Sequence, residues 1–151
     1  MGCILKNKII YLVSAFMLSG SVFANTDPQI QLLKEIYQQG KKLEKGDELL
    51  ALYYDKSLEQ AQNNLREGRW QDCGQAWQDQ MWQSQDPEYR QKPSFQKVGQ
   101  NLVKVTLAPY GEFYKEKKVT YRVDCQGNRC KISDIIDGDG SLKKALLNQC
   151  R

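Results

Sequence analysis

The chain has 151 residues, 40% of them hydrophobic, with 22 Lys and Arg against 18 Asp and Glu and a formal net charge of +4. It contains no histidine, which excludes Ser-His-Asp and Cys-His nucleophilic centres, imidazole-ligated metals and histidine proton relays. The length suits one domain, and the near-balanced charge does not supply the concentrated basic face that a nucleic-acid partner requires.

Lys6 and Lys8 precede an apolar run from Ile9 to Leu18, and Val22-Phe23-Ala24 offers the small residues read by a signal peptidase. The run is shorter than the roughly 20 residues needed to span a bilayer. Met1-Gly2-Cys3 carries Lys6 where an acylation signal needs Ser or Thr, and no cysteine follows the run until Cys73, as a lipoprotein would require. The expectation is a signal peptide over residues 1–24, cleavage after Ala24, and a single unanchored α+β domain over 25–151 in the periplasm. Loss of Lys6 and Lys8 leaves a formal charge of +2.

Asp27 and Pro28 form a helix start, with Asp27 as cap and Pro28 where its missing N–H costs nothing. Ile30, Leu33, Ile36 and Tyr37 give one apolar face, and Gly40 or Lys41-Lys42 is expected to end the helix. Asp47 restarts the pattern, and Leu49, Leu50, Tyr53, Leu58, Ala61 and Leu65 predict one second amphipathic helix closing near Gly68. Residues 69–94 are irregular and carry Trp70, Trp77 and Trp82. Trp70, Cys73, Trp77 and Met81 fit the stripe of one short helix. The tryptophans suit a core better than a surface, because a small domain needs large side chains inside, but they are also candidates for a binding face.

After Ser94 the period becomes two. Val103, Val105 and Leu107, then Val119, Tyr121, Val123 and Cys125, predict half-buried antiparallel strands separated by the turn signal Pro109-Tyr110-Gly111. Lys115, Lys117 and Lys118, with Glu116 among them, read as a solvated hairpin tip. Residues 130–135 supply the next strand, Asp137-Gly138-Asp139-Gly140 breaks it, and Ser141 caps a final helix with Leu142, Leu146 and Leu147. Placing Gly140 at the sixth position of a calcium loop puts Ile135 first and Leu146 twelfth, so charged ligands are missing and the loop reads as a turn. No cofactor or metal site is expected.

Cys73, Cys125, Cys130 and Cys150 remain after signal removal, an even count that points to two disulfides in an oxidising compartment. Three pairings are open. Cys125 and Cys130 flank a four-residue turn-like insert and would face each other across a hairpin, which leaves Cys73 for Cys150. The spacings lack the C-x2-C pair of a zinc site.

Two N-terminal helices, an irregular middle and a curved antiparallel sheet closing on a short helix make an α+β layout that resembles the nuclear transport factor 2-like cone. The helix with Leu52-Tyr53-Tyr54, the Gln85-Asp86 step, and Lys131-Ile132-Ser133-Asp134-Ile135 followed by Ser141-Leu142 and Leu146 resemble the exported bacterial proteins grouped as domain of unknown function 3828. Cys130 stands where that family is expected to carry a tryptophan. The resemblance implies a fold and no activity.

Three function classes follow. The favoured one is a non-catalytic binding module for a small ligand or a periplasmic protein, with Trp70, Trp77, Trp82, Tyr53, Tyr121 and Asp134 as candidate contact residues and a homodimer among the allowed assemblies. The second is an inhibitor or immunity protein acting on a toxin or wall-degrading enzyme. The third is a cone-fold enzyme pairing Asp134 or Asp55 with Tyr121 or Tyr53, which requires the carboxylate to sit inside an apolar pocket. Asp134 shares the alternation phase of Cys130 and Ile132, and the competing reading makes it an acceptor of backbone hydrogen bonds at the strand's end.

Overall fold

The computed structural model describes residues 27–67 and 78–148, with backbone alone for 64–67. Helix α1 spans Pro28–Leu43, α2 Asp47–Leu50 and α3 Lys56–Glu67, with a 3₁₀ turn at Ala51–Tyr53. The strands are β1 Pro93–Gly99, β2 Leu102–Leu107, β3 Lys117–Gln126, β4 Arg129–Asp137 and β5 Gly140–Ser141, followed by α4 Leu142–Asn148. Each strand pairs antiparallel with its sequence neighbours, so the sheet is a meander in the order β1-β2-β3-β4-β5. The mixed α+β class is therefore as expected, with the sheet closing on a short C-terminal helix.

Asp27 caps α1, its Oδ1 accepting the N–H groups of Gln29 at 2.9 Å and Ile30 at 3.3 Å, while its Oδ2 takes Lys97 Nζ at 3.0 Å. The helix runs through Gly40 to Leu43 and ends on Glu44 in the left-handed region. Gly40 is not a stop. A Cβ there would lie 2.5 Å from Met81 Cε and 2.8 Å from Lys45 O, so glycine lets the 79–84 turn approach the helix.

The expected continuous second helix is broken. Tyr54 is extended and forms a parallel bridge with Ile132, and Asp55 N–H donates to Ile132 O at 2.8 Å. Asp55 then caps α3 through Leu58 N–H at 2.7 Å. An amphipathic period continues across this break because both pieces bury the same side, which is why sequence periodicity does not reveal it.

On the sheet's inner face Val103 pairs with Tyr121, Val105 with Val119, Val123 with Ile132 and Tyr121 with Ile135. These side chains are buried with Leu33, Ile36 and Tyr37 of α1, Leu50 of α2, Leu58 and Ala61 of α3, Trp82, and Leu142 and Leu146 of α4. A register shift opposite Arg122 and Val123 leaves Ser133 as the extra residue of a bulge. The bulge reverses the alternation. Asp134 pairs with the exposed Arg122 and does not share the face of Ile132, which corrects the phase expected for it.

Cys125 and Cys130 are opposite each other at the end of the β3–β4 hairpin and form a disulfide, with Cα atoms 4.0 Å apart. Gly127 adopts φ +62 in the turn between them. Residues 1–24, Trp70, Trp77, and the expected disulfide partners Cys73 and Cys150 lie outside the described residues. Among the described residues no helix is long and apolar enough to cross a membrane.

Candidate functional site

The turn at residues 79–84 links the helices to the sheet, and its backbone is held in place by polar contacts. Asp79 N–H donates to Ser84 O at 2.9 Å, closing the turn, and Gln83 occupies the left-handed region within it. The Asp79 carboxylate accepts three backbone N–H groups, from Trp82 at 2.7 Å, Met81 at 3.0 Å and Asp47 at 2.8 Å. Asp47 reciprocates by accepting Gln80 N–H at 2.6 Å. The first residue of α2 and the first residue of the turn thus cap each other. Gly46 permits the contact, since a Cβ there would fall 1.7 Å from Asp79 Oδ2.

From the other side, buried tyrosines take the turn's carbonyls. Tyr37 donates its hydroxyl to Met81 O at 2.7 Å and lies 2.8 Å from the Tyr121 hydroxyl, which reaches Gln80 O at 3.5 Å. Trp82 Nε1 donates to Lys45 O at 3.1 Å, and its indole meets Tyr37 and Tyr89 edge-on. The Tyr54 hydroxyl is buried with no hydrogen-bond partner among the described residues.

Burial, then the neighbouring Asp79 charge, pushes Asp47 up to about 7, and burial raises Asp79 above the usual carboxylate range. Among the described residues no Lys or Arg forms an ion pair with either. Burial also raises Tyr37, Tyr54 and Tyr121, so these phenols are neutral.

Above the turn lies a surface cleft of about 300 Å³ lined by Ser84, Asp86, Gln91, Phe113, Tyr114, Lys115 and Lys117, with Trp82 beneath its floor. Its outer wall is the β2–β3 loop. Tyr110 and Tyr114 exchange backbone hydrogen bonds at 2.8 and 3.3 Å, and Gly111 with φ +60 makes the bend. Gln91, itself buried, donates its side-chain amide to Ala108 O at 2.9 Å and Lys115 O at 3.3 Å. Arg90 lies 4.6 Å over the Tyr110 ring and is held by Glu88 at 2.6 Å. On this braced loop the Phe113 side chain stands 87% exposed. Lys118 pairs with Glu116 at 2.8 Å, while Lys115 and Lys117 form no ion pair among the described residues. A second, wider groove of about 860 Å³ runs between α3 and the β3–β4 hairpin. Of the carboxylates Asp55, Glu59 and Asp124 that line it, Asp55 accepts Leu58 N–H and Asp124 is held by Ser133 and Asn101.

The residues singled out from sequence do not converge on one site. Trp82 is fully buried and presents no binding surface, and Tyr121 is sealed in the core. Met81 sits in the turn and not on a helix stripe. Tyr53 is half-buried against the core. Asp134 accepts Ile135 N–H at 2.9 Å, Lys143 N–H at 3.1 Å and the Ser141 hydroxyl at 2.7 Å, so it caps α4 and does not face Tyr121. Asp55 caps α3 and likewise spends its oxygens on backbone and Ser57.

The structure brings together Asp47, Asp79 and Tyr37, which the sequence patterns leave unconnected. From Asp79, the other two are 32 and 42 residues away, and no local spacing links them. Gly40 and Gly46 are the available signal, since a glycine near a helix end marks close approach as readily as termination. Phe113 is visible as an apolar residue inside a turn flanked by lysines.

Fold and site together define a small α+β domain with a helical cap locked onto a meander sheet and an aromatic loop at one end. No protein-family model, curated protein or solved structure matches the chain.

Proposed function

We propose that this chain is an exported, non-catalytic binding module, cleaved after Ala24, whose contact surface is the β2–β3 loop and the cleft behind it. The finer reading of its sheet as a nuclear transport factor 2-like cone, within the domain of unknown function 3828 family, belongs to the same proposal. The observation that carries the binding reading is Phe113, held out into solvent on a loop whose backbone is already fixed by Tyr110, Tyr114 and Gln91. An exposed aromatic that loses little entropy on contact is the kind of anchor that dominates recognition. Lys115 and Lys117, which line the cleft together with Asp86, favour a partner with an apolar group beside carboxylates.

A non-catalytic role fits the spending of the carboxylates. Asp134, Asp55, Asp79 and Asp47 each accept backbone N–H groups, and Tyr121 is out of reach of solvent. The inhibitor reading also has support in the protruding rigid loop, which could enter a groove on an enzyme.

A photo-crosslinking side chain placed at position 113, in cells expressing the full chain, tests this. A discrete adduct is expected at 113 and not at Leu43, which is 53% exposed at the end of α1. Equal labelling at both positions, or none at 113, would remove the loop as the contact surface.

A further inference from the structure

We propose that Asp47 and Asp79 form a proton-dependent latch that holds the 79–84 turn, and with it Trp82, against the helical cap. The geometry sets two acids in contact through the backbone of each other's element: Asp47 N–H donates to Asp79 Oδ2 at 2.8 Å, and Gln80 N–H to Asp47 Oδ1 at 2.6 Å. The titratable groups facing them from the packed elements are Tyr37 of α1, Tyr54 after the 3₁₀ turn, Tyr121 of β3 and Tyr89 of the following loop, all raised above the usual phenol range by burial and so uncharged. Lys45 is turned to Glu48 at 3.6 Å, and Glu44 adds only negative charge. Gly46 contributes no side chain at the point of contact.

Among the described residues no Lys or Arg forms an ion pair with either carboxylate, and two neighbouring like charges favour retention of one proton. Asp79, with three N–H donors, is the better anion, and Asp47 is the acid that keeps the proton. Because its folded-state pKa is raised, the latch contributes fully below the unfolded value near 3.8 and is lost as pH rises through about 7. On deprotonation the proton leaves to solvent, the two carboxylates repel, and the Asp47–Gln80 link is the one that opens. The turn carries Trp82 and Ser84, which underlie and line the cleft, so the latch reaches the proposed contact surface. The latch holds the turn whether or not that surface binds anything.

The test is a carboxyl-carbon NMR titration of the signal-free chain from about pH 5 to about pH 9, with amide exchange corrected for its intrinsic pH dependence. Asp47 is expected to titrate near 7. Protection at Gln80, whose N–H is held by Asp47, should fall by about tenfold for each step of one in pH up to about 7 and level off above it, while Val105 and Tyr121 stay protected. Asp47→Asn keeps the acceptor for Gln80 N–H and cannot ionise, so its protection should be flat over the same range. Titration of Asp47 near 4, an equal loss in Asp47→Asn, or an equal loss at Val105 and Tyr121 would overturn the latch. The wild-type titration decides the matter if the variant does not fold. Failure of the crosslink at 113 leaves this result untouched.

Discussion

In the sheet, alternate side chains of β2 and β3 are buried, and neighbours across the ladder fill the same layer: Val103 opposite Tyr121, Val105 opposite Val119. The 79–84 turn reaches an equally dry interior by another route. Its amides are taken by Asp47 and Asp79, its carbonyls by Tyr37 and Tyr121, and only then does Trp82 fill the space between α1 and the sheet. The sheet gains stability in many small, similar increments of apolar burial. The turn adds to the burial of Trp82 a few hydrogen bonds, each of which leaves a buried polar group stranded if broken. A lost methyl in the sheet should be absorbed locally, whereas one lost acceptor in the turn should be felt across the cap.

The largest test removes the indole. Trp82→Ala should cost about 4 kcal/mol in urea denaturation, the range for a large aromatic removed from a packed core, with the Lys45 carbonyl losing its donor as well. A loss of about 1 kcal/mol or less would mean that the turn is an outlying flap, and the contrast with the sheet would fail.

Next in size is the contact at Gly46. Gly46→Ala forces the Asp79 carboxylate away from the Asp47 amide and should cost about 2 kcal/mol, as overpacking typically does. Gly138→Ala, where a Cβ meets nothing within 4 Å, provides the control and should change little. Equal effects at the two glycines would show that close approach is not what Gly46 supplies.

The smallest effect separates two buried tyrosines. Tyr37→Phe removes a hydroxyl bonded to Met81 O and Tyr121 and should cost about 1 kcal/mol. Tyr54→Phe removes a hydroxyl with no partner among the described residues and should be neutral or slightly stabilising. Reversal of that order in thermal denaturation would mean that the polar accounting of the cap is wrong.

Much of the sheet is legible in the chain because its information is local. Period-two burial places Val103, Val105, Leu107, Val119, Tyr121 and Val123 on one face, and a turn of fixed length places Cys125 opposite Cys130. The bulge at Ser133 is not legible, since nothing in residues 130–135 distinguishes a regular strand from one with an extra residue until it is paired with β3. Asp134 reads as core-facing from the sequence for that reason. The site is less legible than the fold. The loop bearing Phe113 shows as a turn, but its rigidity comes from Gln91, some twenty residues earlier in the chain.

By itself, the sequence determined the alternation of β2 and β3, where α1 begins at Asp27 and α4 at Ser141, and which cysteines close the hairpin, because caps, periods and short turns act between near neighbours. It did not determine β1 over Pro93–Gly99, which begins in the stretch that reads as irregular chain. Only the tertiary structure decided that the second helix breaks at Tyr54 to pair with Ile132, that Gly40 and Gly46 are points of approach, and that Asp47 meets Asp79. Those choices depend on contacts that exist only once segments distant in the chain have been brought together, and no local periodicity records them.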